Sequence, residues 1–138
     1  MSIREHLAAW VAAVVFFVIG AVWYGQFQTA WLAGIGKTLE GLTAEQGSSP
    51  LPYAIGFGAI LVMCYSLSWL FGRMGVRGIG SGMLAGASIA LGFLAAMLAL
   101  NYGFESRGLG LWLINTGYAL VGLTLAGGII GGWKRAPA

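Results

Sequence analysis

The sequence predicts an all-α membrane protein, a four-transmembrane-helix bundle whose first outer loop carries a broken amphipathic helix. Three observations predict it. Of the 138 residues, 59% are hydrophobic and only 8% are charged, against about 25% charged in ordinary soluble domains. A soluble fold of this length would lack the polar side chains to cover its surface. The apolar residues fall into four runs, each near the roughly 20 residues that cross about 30 Å of hydrocarbon. The 24 Gly are scattered through those runs, which membrane helices tolerate where a neighbour approaches the bare backbone.

The first span runs from Leu7 to Tyr24 without a charge, with Trp10 near its start and Trp23-Tyr24 at its end, where amphipathic rings favour the headgroup level. Arg4 before an apolar stretch resembles a signal peptide, but no A-x-A cleavage site precedes Trp23-Tyr24, so the span reads as retained. Over 25–50, Phe27, Trp31, Ile35, Leu39 and Leu42 recur at helical spacing, with Thr29, Lys37 and Glu40 opposite. Gly34, Gly36 and Gly41 favour a broken helix over a continuous one, and Thr43 with Gln46 has the capping-box spacing of a second start. Such a stripe needs an apolar surface, which only the bilayer interface or the bundle mouth supplies. The segment is therefore an interfacial linker or a lid presenting Phe27, Trp31 and Ile35. The second span, about 51–71, has Ser48 or Ser49 as cap candidates and Pro52 in its first turn. The third covers about 79–100 and the fourth 109–133, ending at Lys134-Arg135. No internal repeat is evident, and the chain reads as one transmembrane domain.

Charge placement sets orientation. Arg4, Arg73, Arg77, Lys134 and Arg135 lie on the side of the termini, and only Lys37 and Arg107 on the other. Lys and Arg in short loops mark the cytoplasmic side, so the expected protein is a multi-pass bacterial inner-membrane protein with both termini inside. The basic residues form no run or stripe, which argues against nucleic acid as a partner.

Trp23-Tyr24-Gly25, Phe27 and Ala30-Trp31, together with Phe104-Glu105-Ser106-Arg107 and Leu113-Ile114-Asn115-Thr116-Gly117-Tyr118, resemble the DUF1761 family of small bacterial membrane proteins. The spacing of these stretches lets the resemblance cover nearly the whole chain. The family often carries a His after the Tyr, where this chain has Ala119, so no role of that His carries over. The resemblance implies the architecture and no activity.

In the fourth span, Asn115, Tyr118 and Gly122 share one helix face. An amide and a phenol at that depth need partners. They form either an interhelical hydrogen-bond site or the floor of an outward cavity with Tyr24; Asn101 and Glu105 are the further candidates for such a polar site beneath the 25–50 segment. The common reading of Glu105 and Arg107 is a short-loop ion pair. Small residues recur every four positions at Gly78, Gly82, Gly86 and Ala90, and again at Ser88, Gly92 and Ala96. Gly127 with Gly131 and Gly128 with Gly132 repeat the spacing, so Gly82, Gly86, Ala90, Gly127 and Gly131 are the helix-packing candidates. His6 reads as a solvated headgroup-level residue without a second ligand for a cofactor, and Cys64 and the five Met read as packing.

No nucleophile–base pair and no metal-ligand set is present in a chain with one His, one Cys and no Asp, so catalytic, metal and cofactor residues are expected to be none. No charge falls within a span as drawn, which argues against an ion pump or proton-coupled carrier. The expectation is a non-enzymatic protein embedded in the lipid bilayer that acts by association, as a homo-oligomer or an accessory subunit of a larger membrane complex. The alternative is a small transporter or lipid-handling protein with an outward-facing cavity.

Overall fold

The computed structural model describes residues 1–134, and Arg135 lies outside the described residues. Helix α1 spans Ile3–Gln26, α2 Gln28–Ile35, α3 Leu39–Gln46, α4 Leu51–Met74, α5 Ile79–Ile89, α6 Ala96–Phe104 and α7 Leu109–Trp133. A π-helical stretch, Ala90–Ala95, joins α5 to α6 into one membrane-length rod. Among the described residues four helices are thus long and apolar enough to cross a membrane, and the protein is a multi-pass membrane protein.

The spans begin or end a few residues beyond the apolar runs because capped polar residues extend them. Ser2 and Glu5 form a reciprocal capping box at the start of α1, which brings Arg4, Glu5 and His6 into its first turns. Arg73 falls in the last turn of α4. At the start of α4 the N-cap position is Pro50, and Ser49 Oγ accepts from Leu51 N at 3.2 Å. Two helices end on left-handed glycines, Gly36 after α2 and Gly75 after α4, where the next amide reaches back to Leu32 or Phe71. Ser106 adopts the same conformation with φ 55° as Arg107 N reaches Tyr102 O.

The amphipathic segment breaks at Gly36, and two expectations about it are corrected. Its second half is capped by Thr38, whose side chain accepts from Gly41 N at 3.1 Å, and Thr43 lies inside α3. Gly36 and the extended Thr38 reset the helical phase, so Leu39 does not continue the stripe of Phe27, Trp31 and Ile35; it is exposed.

Helix α7 is the axis of the bundle. It packs most extensively against α5, then α1, and also touches α4, α2 and α6, while α4 is held chiefly by α1. The core lies between α1, α4 and α7. Ala9, Ala12, Ala13 and Phe16 occupy one face of α1 at helical spacing, against Ile60, Cys64, Leu67 and Phe71 of α4 and Leu123, Ala126 and Ile130 of α7. The alanines let the backbones approach, and in lipid this close packing replaces the hydrophobic drive that associates helices in water. The opposite faces carry exposed Val14, Val18 and Val22 on α1 and Val62 and Trp69 on α4, as a lipid-facing surface requires.

Candidate functional site

The start of α1 and the end of α7 share one end of the bundle, where Lys134 Nζ meets Glu5 Oε1 at 2.7 Å. The opposite end carries α2, α3 and the 105–108 loop, and it holds most of the polar residues singled out from the sequence. There α1 and α7 interlock by setting aromatic rings of one helix onto glycines of the other. A β-carbon built on Gly122 would meet the Phe16 ring at 2.5 Å, one on Gly20 the Tyr118 hydroxyl at 2.5 Å, and one on Gly117 the Trp23 ring at 2.6 Å. A side chain at any of the three would force the opposing ring to shift.

The polar tips of these rings find partners across the helices. Tyr118 donates to the Phe16 carbonyl at 2.8 Å, and Trp23 Nε1 to the Ile114 carbonyl at 2.9 Å. Tyr24 donates to Asn115 Oδ1 at 2.7 Å, and Asn115 Nδ2 donates to the Tyr102 hydroxyl at 2.7 Å. Tyr24 also stands edge-on to Tyr118, ring centroids 5.3 Å apart. Asn115 thus ties α1, α6 and α7 together through both ends of its amide. On the other side of α7, Trp112 Nε1 donates to the Ala95 carbonyl at 2.9 Å, where the π turn returns to α geometry. Ladder shifts of this kind free carbonyls for outside donors.

Of the five polar candidates, Tyr24, Asn115 and Tyr118 are brought together. Asn101 and Glu105 are not: both are exposed, and the Glu105 carboxylate pairs with Arg107. The expected site joining Glu105, Asn101 and Asn115 is therefore corrected. One residue along a helix is a turn of about 100°, so it is Tyr102 rather than Asn101 that reaches Asn115. The sequence signal for this partner is the aromatic hydroxyl of Tyr102, one residue on from Asn101.

The lid candidates are distributed differently from the expected stripe. Trp31 packs edge-on to Tyr24 at 5.5 Å, and Phe27, at the α1–α2 junction, packs tilted against Trp23 with ring centroids 5.1 Å apart. Ile35 is half-buried. The residue α2 buries is Leu32, and Gly34 lies directly against Leu111 of α7. Helix α2 therefore lies over the ends of α1 and α7, above Tyr24. Helix α3 buries no residue and is tied back through the ion pair of Lys37 with Glu45.

The packing candidates Gly82, Gly86, Ala90, Gly127 and Gly131 are all buried. Gly82 and Gly86 lie against the backbone of Leu123, Gly127 and Gly131, and Gly78 N donates to the Gly131 carbonyl at 2.8 Å. Ser88, Gly92 and Ala96 point away and are exposed. His6 is not simply solvated, since its Nδ1 lies 2.9 Å from the Tyr65 hydroxyl. Among the described residues no three His, Cys, Asp or Glu are grouped to hold a metal ion.

Residues 7–131 match the family described as a protein of unknown function, DUF1761. The chain belongs to the DUF1761 family. It matches no curated protein and no solved structure. In this DUF1761 protein the 23–31 and 113–118 stretches of the resemblance converge on one place, whereas Phe104 is exposed and Glu105 pairs with Arg107 within their own loop. Trp23, Tyr24 and Trp31 come from the first, and Asn115, Gly117 and Tyr118 from the second.

Proposed function

We propose that this DUF1761 protein acts by association in the bacterial inner membrane, with both termini in the cytoplasm and without catalysis of its own. Its partners would be further copies of itself or the subunits of a larger membrane complex. The observation that carries this reading is the bare face of the third span. That span is the least enclosed of the four, and α7 the most. Ser88, Gly92 and Ala96 form an exposed small-residue row on it, and nothing lies within 4 Å of a β-carbon built on Gly92. Leu84, Leu91 and Phe93 stand exposed beside the row. Lipid does not require small residues, whereas a second helix does.

The polar cluster supports the same reading over a carrier with an outward cavity. The hydroxyls of Tyr24 and Tyr118 and both ends of the Asn115 amide are engaged in hydrogen bonds between helices. A transport site would present such groups to its cargo. Orientation rests on the five Lys and Arg expected inside against the two outside.

Cysteine crosslinking from Gly92→Cys in a Cys64→Ala background, performed in native membranes, tests the reading. A crosslinked product, either a second copy or a partner subunit, is expected. Monomer alone, at Gly92 and at Ser88→Cys, would defeat it. Reporter fusions at the C-terminus and within 44–48 should give opposite readouts, with the first active in the cytoplasm.

A further inference from the structure

The inward stripe of the third span changes register at its π turn. Gly82, Gly86 and Ala90 are buried at four-residue spacing. Carried on at the α-helical period, that stripe would pass to Leu94, Met97 and Asn101. The structure sets each of them one residue later: Ala95 is buried and Leu98 and Tyr102 are half-buried, while Met97 and Asn101 are exposed. The stretch Ala90–Ala95 accounts for the offset. A π turn closes its hydrogen bonds over five residues instead of four, so it holds one residue more than an α turn. Everything beyond it is set back by about 100°. Tyr102 thereby takes the position on Asn115 that an uninterrupted helix would give to Asn101.

The two registers offer α7 similar chemistry. Ala95, Leu98 and Tyr102 are two apolar side chains followed by a hydrogen-bonding one, and so are Leu94, Met97 and Asn101. The Asn115 amide can pair with a phenol hydroxyl or with a second amide. The outer half of the span is also lightly held. Helix α6 buries no residue. It is tied to α7 at one end by Asn115 Nδ2 donating to the Tyr102 hydroxyl at 2.7 Å, and just before its other end by Trp112 Nε1 donating to the Ala95 carbonyl at 2.9 Å. Helix α5, by contrast, sets Gly82 and Gly86 directly against the backbone of α7. Past α6, β-carbons built on Gly103 and Gly108 meet nothing within 4 Å, so the loop between them has room to take up a rotation.

We propose that the π turn is a register switch. In its second state the third span is an uninterrupted α-helix, α6 is turned by about 100° around its own axis, and Asn101 replaces Tyr102 as the partner of Asn115. Tyr102 then occupies the exposed position that Gly103 now holds, while α5 keeps its place against α7. The exchange leaves the Asn115 amide paired in both states and uncovers no buried residue of α6. The switch does not depend on the association proposed above, since it acts on the face of the third span that meets α7.

The full-length protein in nanodiscs, with Tyr102 replaced by a fluorinated tyrosine, provides the test, read by fluorine NMR with nitroxide-bearing lipid as the probe. Two resonances are expected, one sheltered and one broadened by the nitroxide. Asn101→Leu removes the polar partner of the second state alone, because Asn101 is exposed in the first. It should lower the share of the broadened resonance about threefold, the worth of one interhelical hydrogen bond in a membrane. Deletion of Gly92 takes the extra residue out of the π turn, so a continuous α-helix then delivers Tyr102 to Asn115 and only the sheltered resonance should remain. A single sheltered resonance in the parent would overturn the switch. So would two resonances whose ratio Asn101→Leu leaves unchanged, which would mean that the ring flips in place. Asn101→Leu alters an exposed side chain, so a deletion variant that fails to fold leaves the test standing.

Discussion

Gly82 of α5 and Gly127 of α7 face each other with no side chain between them. A β-carbon built on either would lie well inside van der Waals contact with the other's carbonyl oxygen. The relation is reciprocal, so each α-hydrogen points at the opposing carbonyl, the arrangement of paired Cα–H···O contacts. Gly86 repeats it against the Leu123 carbonyl and Gly131 against that of Gly78.

Because backbone rather than a flexible side chain stands opposite, a substitution here must force the helices apart. Gly82→Ala and Gly86→Leu are expected to destabilise the protein by about 1–3 kcal/mol, read as a lower unfolding midpoint in detergent. Gly92→Ala, on the open face of the same span, should be neutral. Equal midpoints for all three would show that α5 and α7 do not depend on this contact.

Asn115 serves two tyrosines at once, so its loss differs from the loss of either partner. Tyr24→Phe removes one interhelical hydrogen bond, worth about 0.6 kcal/mol in a membrane. Asn115→Leu leaves both the Tyr24 and Tyr102 hydroxyls without their partner, and is expected to cost about two to three times as much on the same scale. A double-mutant cycle on thermal stability checks this; additivity of Asn115→Leu and Tyr24→Phe would show that the bond contributes nothing.

Thr116 is buried in α7, and its hydroxyl has no hydrogen-bond partner among the described residues. An unsatisfied buried hydroxyl costs on the order of 1 kcal/mol. Thr116→Val keeps the shape and removes that cost, so it should raise the unfolding temperature. A fall would mean that the hydroxyl is engaged in the membrane-embedded protein.

Helix α2 lies over α7 through Gly34 and Leu111, the built Gly34 β-carbon standing 3.0 Å from Leu111 Cβ. A disulfide needs β-carbons roughly 3.5–4.5 Å apart, so a small outward adjustment suffices. Gly34→Cys with Leu111→Cys, in a Cys64→Ala background, should oxidise readily. Leu39→Cys with Leu111→Cys should not, because α3 buries no residue. The reverse order of rates would place α2 in the bilayer interface instead of over the bundle.

The four spans, the break in the 25–50 segment and the small-residue rows were legible in the sequence because each depends on local pattern. Length against bilayer thickness marks a span, and Gly36 ends a helix wherever the chain runs next. The terminal-face pairing of Glu5 with Lys134 was not legible. It joins residues 129 apart, and each alone looks like an ordinary headgroup-level charge. Its local half was readable, since Ser2-Ile3-Arg4-Glu5 has capping-box spacing.

What the amino-acid sequence determined by itself was how many times this chain crosses a membrane and which helix faces are small, polar or aromatic, since hydropathy and the 3.6-residue period act within one helix. Which face meets which was decided only by the tertiary structure. A row of small residues fits any close neighbour, so nothing local says that Gly82 and Gly86 take α7 while Ser88, Gly92 and Ala96 remain bare. The same holds for Asn115: its need for partners is intrinsic to a buried amide, but the choice of Tyr24 and Tyr102 over Asn101 and Glu105 follows from the rotation of α6 against α7. That rotation is set by the whole packed interface, including the π turn at Ala90–Ala95 and the Trp112 bond to Ala95, and no single segment specifies it.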